Sequence, residues 1–251
     1  LLNLLSSQLS ISLQNALLYD SLESQVRERT YDLLKEKDLS ESLLKNILPS
    51  KVAEELKTRG SVEPKNFPKV TVLFTDFKDF TEKTKHVSPK KLVEELDFVF
   101  SRFDEISQKH GIEKIKTIGD SYMAAGGVPL PGKDDEVRVI EAALEMSEFL
   151  EEVKAKRQKE GSDFFFEARI GINTGPVVAG VVGKNKFVYD IWGATVNLAS
   201  RIESSGLAGK VNISGETYEL VKDKFICTHR GQIDVKSYKQ VDMYFVEGRK
   251  G

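Results

Sequence analysis

The hydrophobic and polar positions change pattern once along the chain, near residues 60–68. Residues 1–48 contain no proline or glycine and predict one long helix, which at 1.5 Å per residue would extend roughly 70 Å. Because that exceeds the width of a small domain, and Leu22, Val26, Tyr31 and Leu34 roughly follow a heptad spacing, we expect a two-chain coiled coil rather than a helix packed on the core. Charged residues lie outside this seam at Glu23, Arg27, Glu28 and Lys35.

A short helix and a linker are predicted to follow the long helix. Pro49 interrupts the long helix, and Ser50 can cap a second helix over Val52–Thr58. Gly60 ends that helix, and the Pro64–Pro68 stretch predicts a linker. The sequence therefore divides into three parts, residues 1–48, 49–66 and 67–251.

Strand and helix patterns mix from residue 67 onward. The predicted strands are Val70–Thr75, Glu113–Ile118, Tyr122–Ala125, a pair Phe165–Asn173 and Val177–Val182 around Thr174–Pro176, and a last strand Tyr244–Val246. The predicted helices are Pro89–Gln108, Asp135–Lys159 and Ala194–Ser204. The order strand, helix, strand, strand, helix, strand predicts an α+β fold with a ferredoxin-like βαββαβ core.

Composition narrows the possible functions. The 251 residues are 40% hydrophobic, enough for one substantial core, and 37 basic against 39 acidic residues give no excess for a nucleic-acid partner. One cysteine, Cys227, permits no intrachain disulfide, which fits a cytoplasmic location. No apolar run approaches the roughly 18 residues of a membrane span. Since the chain begins with Leu, we expect a fragment of a longer protein, whose attachment to a membrane stays open.

Two aspartates stand where strands are predicted to end. Asp76 directly follows the buried strand, and Asp120 lies in the turn between the second and third strands. If those strands are neighbours, the two carboxylates converge at one edge of the sheet, where hard oxygen ligands suit Mg²⁺ or Mn²⁺. Taken singly, each aspartate is more readily explained by an ordinary role, Asp76 as a turn cap and Asp120 as a turn residue.

Five segments together strongly resemble signature segments of the class III adenylyl and guanylyl cyclases. They occur in the same order as in that family, and the resemblance extends over about residues 67–247. The segments are Val72–Asp76 followed by Phe80 and Thr81, Lys114–Met123, Ala168–Gly175, Val177–Gly183 and Tyr189–Arg201.

The resemblance implies an enzyme that converts ATP to cyclic AMP and pyrophosphate with two Mg²⁺ or Mn²⁺ ions in each site. Asp76 and Asp120 match the metal-binding pair, with the carbonyl of Phe77 as a further ligand. Arg169 and Lys236 match positions that bind the polyphosphate. The match at Lys236 is looser, because the family usually has a glycine-rich stretch after this lysine, and Lys239 is the alternative in this sequence.

The resemblance also assigns residues to the nucleoside. Lys116 and Asp190 match the positions that read the purine, while Asn197 and Arg201 match the pair that orients the ribose and stabilises the transition state. A lysine that donates to adenine N1 and an aspartate that accepts from N6 favour ATP over GTP. The family forms its cleft between two chains, so the expected partners are ATP and a second copy of this chain.

Several alternatives remain. Guanylyl cyclase is disfavoured by Lys116 and Asp190, and diguanylate cyclase by the absence of its Gly-Gly-acidic-acidic-Phe turn. A degenerate domain that only binds nucleotide or regulates a partner would lack Asp76, Asp120 or Arg201, and all three are present. Residues 1–19 resemble, over a short stretch, the last helix of GAF sensor domains, so an N-terminal sensor is expected in the full-length protein. We expect Trp192 to pack or to lie at an interface, and Asp79 to be a solvated loop acid.

Overall fold

The computed structural model describes residues 2–183, 185–235, 238 and 240–251, with side chains from residue 6 onward. The chain divides into two compact units, one that ends at Ala53 and one that comprises Glu54–Gly251. Helix α1 (Leu2–Ile47) fills most of the first unit, which confirms the long helix. Its apolar side chains are largely exposed, 49% at Leu22 and 58% at Val26. Helix α2 (Ser50–Arg59) follows, ended by Gly60 at a φ of 71°.

The second unit contains the strands and helices of the predicted core, together with further elements that were not predicted individually from the sequence. Its strands are β1 (Lys65–Phe77), β2 (Glu113–Ile118), β3 (Ser121–Gly126), β4 (Ala168–Val182), β5 (Val188–Trp192), β6 (Val211–Ser214), β7 (Phe225–Asp234) and β8 (Gln240–Arg249). Its helices are α3 (Phe80–Thr84), α4 (Pro89–Lys109), α5 (Asp135–Lys159), α6 (Ala194–Ser204) and α7 (Gly215–Val221).

The strands form one sheet in the order β2-β3-β1-β4-β6-β8-β7, with β5 paired to β4. Its first four strands and the helices α4 and α5 make up the βαββαβ core, so the predicted α+β fold is confirmed. β1 lies centrally, antiparallel to both β3 and β4. The end of β1 is held by β3 as far as Thr75 and by β4 as far as Phe77.

Two local predictions are wrong. Residues 65–68, predicted as linker, form the start of β1, and residues 174–176, predicted as a break between two strands, lie within the continuous strand β4. Both exceptions involve proline. Pro68 lies in a register shift between Phe67 and Val70, and Pro176 lies opposite that shift. Because each proline falls where ladder pairing is already interrupted, neither breaks its strand.

The main core lies between the sheet and the helices α4 and α5. Phe77 fixes the end of β1 there, since its ring stacks on Phe166 at 4.5 Å and on Phe100 at 5.9 Å between centroids. Ile170 and Ile172 of β4 point into this core, so Gly171 between them faces the other side of the sheet, where α6 packs. Among the described residues, no helix is long and apolar enough to cross a membrane.

Candidate functional site

The structure brings Asp76 and Asp120 to the same edge of the sheet. Thr75 of β1 pairs with Tyr122 of β3, so Asp76 lies beside the β2–β3 turn that carries Asp120. Gly119 permits this tight turn with a φ of 62°. Burial, and then the charge of Asp120, raise the pKa of Asp76, and Arg169 only partly offsets them. The two carboxylates are therefore close enough to repel each other, an arrangement that a cation would relieve.

Asp76 and Asp120 fit a divalent metal that takes part of its coordination from a substrate. Within the part of the chain that the structure describes, no group of three or more His, Cys, Asp or Glu side chains could enclose an ion. A carboxylate pair with few further protein donors is the arrangement that Mg²⁺ uses beside substrate phosphates. The predicted carbonyl ligand belongs to Phe77, whose buried ring makes the backbone at this position rigid.

Arg169 lies between two carboxylates. Its Cα is the direct partner of Asp76 across β1 and β4, and its Nη2 donates to Asp76 Oδ1 at 2.7 Å. Its Nε donates to Glu203 Oε1 at 2.8 Å. Burial lowers the pKa of Arg169, but the hydrogen bond to Glu203 and the charge of Asp76 outweigh it and raise that pKa overall. The residue predicted to bind phosphate thus forms ion pairs within its own chain.

Glu203 is the residue that the sequence reasoning missed. It lies on the inward face of α6 and is 5% exposed, and burial raises the pKa of its carboxyl group although Arg169 opposes the shift. A signal was available in the sequence, because Thr195 and Ala199 precede Glu203 at intervals of four and therefore lie on the same face of a helix. In the structure this face is buried. An acidic residue on a helix face that packs into the protein requires a partner.

The structure also brings the two predicted purine-reading residues together. Lys116 Nζ donates to Asp190 Oδ2 at 2.5 Å, although β2 and β5 are not neighbours in the sheet. The other oxygen of Asp190 accepts from the backbone N–H of Ile191 at 2.9 Å. Asp190 is buried and Lys116 is half-exposed, so the pair presents one fixed acceptor and one movable donor.

Asn197 and Arg201 lie one turn apart on the outward face of α6, and both are exposed. Neither side chain has a hydrogen-bond or ion-pair partner among the described residues. The helix itself is firmly held, since Asn173 Nδ2 donates to the carbonyl of Thr195 at 3.1 Å and Thr195 Oγ1 donates to the carbonyl of Pro176 at 2.7 Å. The two side chains are thus presented on a rigid element to whatever lies outside the chain.

Of the other residues singled out in the sequence, the structure describes some and not others. Lys236 and its alternative Lys239 lie outside the described residues. Trp192 is 40% exposed at the end of β5, and Asp79 is exposed and begins α3. Tyr238, between the two lysines in sequence, donates its hydroxyl to the carbonyl of Ala194 at 3.0 Å, at the start of α6.

Comparison with known families shows what these features share with other proteins. Residues 62–248 match the model of the adenylate and guanylate cyclase catalytic domain. An adenylate cyclase of Mycobacterium tuberculosis is 41% identical over 216 residues, which are 86% of this chain and 48% of the relative. The receptor-type guanylate cyclase gcy-5 of Caenorhabditis elegans is 35% identical over 237 residues, 91% of this chain and 21% of that protein. The chain thus spans about half the length of the first relative and about a fifth of the second.

Solved structures give the same picture of the fold. The adenylyl cyclase CyaB of Pseudomonas aeruginosa superposes with a TM-score of 0.70 at 33% identity, covering 75% of this chain and 97% of that one. The guanylate cyclase domain of RhGC from Catenaria anguillulae, solved with GTP, superposes with a TM-score of 0.68 at 33% identity, covering 74% and 100%. Relatives of both nucleotide specificities are therefore similar to this chain.

Proposed function

Because the chain belongs to the adenylate and guanylate cyclase catalytic domain family, we propose that it is an adenylate cyclase that converts ATP to 3′,5′-cyclic AMP and pyrophosphate. The observation that carries the choice of ATP is the contact between Lys116 and Asp190 at 2.5 Å. A lysine donor and a carboxylate acceptor complement adenine, which accepts at N1 and donates at N6. Guanine accepts at O6 and donates at N1–H, so it would leave both groups mispaired.

The reaction is an internal displacement on the nucleotide. The ribose 3′-oxygen attacks the α-phosphorus, the bond from that phosphorus to the bridging oxygen breaks, and pyrophosphate leaves. Two Mg²⁺ or Mn²⁺ ions, when bound, would activate the 3′-oxygen and neutralise charge on the leaving group. In our proposal Asp76, Asp120 and the carbonyl of Phe77 hold these ions at the sheet edge.

The chain's own side chains supply the remaining electrostatic stabilisation of the nucleotide and of the transition state. Arg201 stabilises the charge that develops on the α-phosphoryl oxygens, and Asn197 orients the ribose one helical turn away. Arg169 and Lys236 bind the polyphosphate, and Arg169 would have to exchange part of its contact with Asp76 for phosphate oxygens. A fixed guanidinium in a site closed to water is far more effective than one in bulk solvent.

We propose that each active site is shared between two copies of the chain. One chain supplies Asp76, Asp120 and Arg169, and its partner supplies the exposed Asn197 and Arg201 together with the purine-reading pair and Lys236. This division explains why the outward residues of α6 have no partner among the described residues. The exposed apolar positions of α1 would form a coiled coil that joins the two chains. In the full-length protein we place the catalytic region in the cytoplasm, downstream of a sensor domain.

Incubation of the purified chain with ATP or GTP and Mn²⁺, followed by chromatographic analysis of the cyclic product, tests the proposal. We expect cyclic AMP from ATP at a kcat/KM well above that for cyclic GMP from GTP. A preference for GTP would favour the guanylate cyclase alternative, which the similarity to the nematode guanylate cyclases keeps open. Binding of both nucleotides without any cyclic product would identify a regulatory, non-catalytic domain. The Asp76→Ala variant serves as the blank for contaminating cyclases.

A further inference from the structure

Glu203 lies on the same helix as Arg201 but has no place in the mechanism above. We propose that Glu203 is a positioning residue that holds Arg169 and thereby keeps Asp76 available to the metal ions. We propose further that the two faces of α6 act on different active sites of the dimer. The inward face, with Glu203, acts on the site built on the Asp76 of its own chain, and the outward face, with Arg201, acts on the site built on the partner's Asp76. This inference rests on the proposed cyclase function and deepens it.

The three residues form a continuous chain of alternating charge. Glu203 Oε1 accepts from Arg169 Nε at 2.8 Å, and Arg169 Nη2 donates to Asp76 Oδ1 at 2.7 Å. Arg169 is the only charged partner of Glu203 in the described part of the chain, and Asp76 Oδ2 makes no hydrogen bond there. Arg169 therefore gives one nitrogen to each carboxylate and leaves one oxygen of Asp76 open.

The backbone around Glu203 is fixed from several sides. A Cβ atom at Gly171 would lie 2.0 Å from the backbone nitrogen of Glu203, so the last turn of α6 approaches β4 as closely as only glycine permits. Asn212 Nδ2 donates to the carbonyl of Ile202 at 2.7 Å, and Arg230 Nη1 donates to that of Ser205 at 2.9 Å. The glutamate is thus delivered to Arg169 by a rigid element.

Removal of the negative charge at position 203 would change what Arg169 does. An arginine that has lost one carboxylate can turn both donors of its fork toward the other, because bidentate pairing with a carboxylate is its strongest geometry. Arg169 would then take both oxygens of Asp76, and its unbalanced positive charge would repel an incoming cation. Glu203 prevents both by holding Nε and by neutralising the guanidinium.

The geometry of α6 separates the two roles in space. Positions 201 and 203 are two residues apart, about 200° around a helix of 3.6 residues per turn, so Arg201 points outward and is exposed while Glu203 is buried. In the shared-site arrangement, Arg201 completes the active site built on the partner's Asp76. Glu203 acts on the active site built on the Asp76 of its own chain. One short helix therefore contacts both catalytic centres.

The first test measures metal binding rather than turnover. Calorimetry with Mn²⁺, on protein held with an unreactive ATP analogue, should give a dissociation constant at least about tenfold higher for Glu203→Gln than for wild type, the usual effect of removing a residue that orients a metal ligand. Glu94→Gln, at an exposed position of α4, is the matched control and should bind Mn²⁺ as wild type does. Glu203→Asp retains the charge with a shorter reach, so it should bind with intermediate affinity and supplies the measurement if Glu203→Gln does not fold. A wild-type Mn²⁺ affinity in a folded Glu203 variant would overturn the positioning role.

The second test assigns Glu203 to one active site by mixing variant chains, assayed at a Mn²⁺ concentration that saturates wild type but leaves Glu203→Gln largely without metal. Co-expressed Glu203→Gln and Arg201→Ala chains should regain activity, up to about a quarter of wild type for random pairing, because each mixed dimer has one intact site. Co-expressed Glu203→Gln and Asp76→Ala chains should regain none. If Glu203 merely supported the fold of α6, its loss would also displace Arg201, and recovery with Arg201→Ala would be absent. That result would overturn the two-face inference.

A third mixture separates failure of the two-face inference from failure of the proposed function. Asp76→Ala with Arg201→Ala should recover whether or not Glu203 positions Arg169. If that pair recovers but Glu203→Gln behaves like Arg201→Ala, only the two-face inference is wrong. If that pair shows no recovery in verified mixed dimers, the shared site is wrong, and with it the two-face inference, while the Mn²⁺ measurement still decides whether Glu203 positions Arg169.

Discussion

Asp76 and Arg201 represent the two halves of the candidate site, and their surroundings differ in kind. Asp76 is half-buried at the end of a central strand, paired with Arg169 and close enough to Asp120 for its pKa to be raised. Arg201 is exposed on α6 and has no ion pair among the described residues. Asp120, in the turn between β2 and β3, is likewise half-buried, whereas Asn197 on the outer face of α6 is exposed.

The contrast indicates which half of the candidate site already has its charged groups paired within a single chain. The half that we propose to bind metal has its electrostatic balance set within the fold, since Glu203, Arg169 and Asp76 alternate in charge. The outward half has its backbone held but its side chains left to the surroundings. If Arg201 is catalytic, its lack of a charged partner in the described part of the chain is consistent with a substrate held mainly by another molecule, as in the shared site that we propose.

The largest loss of cyclase activity should come from substitutions in the half of the candidate site that contains Asp76 and Asp120. Asp76→Ala or Asp120→Ala should leave a folded protein whose cyclase activity is lower by about a thousandfold, because metal assistance contributes several kcal/mol to the barrier. Steady-state assays with saturating Mn²⁺ measure the loss, and circular dichroism checks the fold. Asp79→Ala is the matched control, as an exposed acid on the same segment that should keep wild-type activity. Near-normal turnover in either site variant would remove these aspartates from the metal site.

The next effect tests whether the exposed half belongs to a different chain's site. Arg201→Ala should reduce the rate by about 10²–10³, as expected for loss of one transition-state contact. When Arg201→Ala and Asp76→Ala chains are co-expressed, activity should return to about a quarter of wild type, since half the dimers are mixed and each has one intact site. Were both residues supplied by one chain, every site would retain a lesion. Verified mixed dimers without recovery would therefore contradict the division of the site between two chains.

Lys116 and Asp190, the proposed purine-reading pair, are intermediate between the ion-paired Asp76 and the exposed Arg201, because they already contact each other inside one chain. Lys116→Glu with Asp190→Cys should lower the ratio of kcat/KM for ATP to that for GTP by about five- to 150-fold, the effect of roughly 1–3 kcal/mol in matched polar contacts. Competition assays with both nucleotides measure this ratio directly. Lys114→Glu, at an exposed position of β2 that pairs with Asp104, provides the matched control. An unchanged ratio in the double variant would show that this pair does not read the base.

The sequence predicted the elements of the βαββαβ core and the closeness of Asp76 to Asp120, because both depend on local pattern and on strand adjacency. A buried strand that ends in a carboxylate, and a hairpin with an aspartate in its turn, bring charge to one edge once the strands pair. The roles assigned to Lys116 and Arg201, in contrast, came from resemblance. Nothing in the periodicity of β2 and β5 indicates that Lys116 and Asp190 would lie in contact.

The failures have physical causes as well. Prolines at 68 and 176 indicated a linker and a strand break, but their position opposite each other at a bulge is a property of pairing that no single segment reveals. The spacing of residues in α6 indicates a buried face that includes Glu203, but not the partner that its charge requires, because Arg169 lies 34 positions earlier in the chain. The burial of Glu203 follows from the close approach of α6 to Gly171, and its contact with Arg169 crosses from helix to sheet.

The smallest change in activity should come from the first unit of the chain, which tests whether the exposed half depends on dimer affinity. Leu22 and Val26 lie in the predicted seam of α1, whereas Glu23 and Arg27 lie outside it and form an exposed ion pair at 3.4 Å. Burial of each apolar side chain in a dimer is worth about 1.5–3 kcal/mol. The double variant Leu22→Ser with Val26→Ser should therefore dissociate at higher protein concentration than wild type.

At high protein concentration this seam variant should retain nearly full activity, because its catalytic residues are unchanged and dimers still form. On dilution its specific activity should fall earlier than that of wild type, since only the dimer contains complete sites. The control variant Glu23→Ser with Arg27→Ser is matched in position and number of changes. Its specific activity should fall at the same dilution as that of wild type, because exposed ion pairs contribute little to stability. Activity and sedimentation velocity across a dilution series should shift together in the seam variant alone. If both variants and wild type lose activity at the same concentration, α1 does not hold the two chains together, and the outward residues of α6 must meet their partner through the catalytic domain alone.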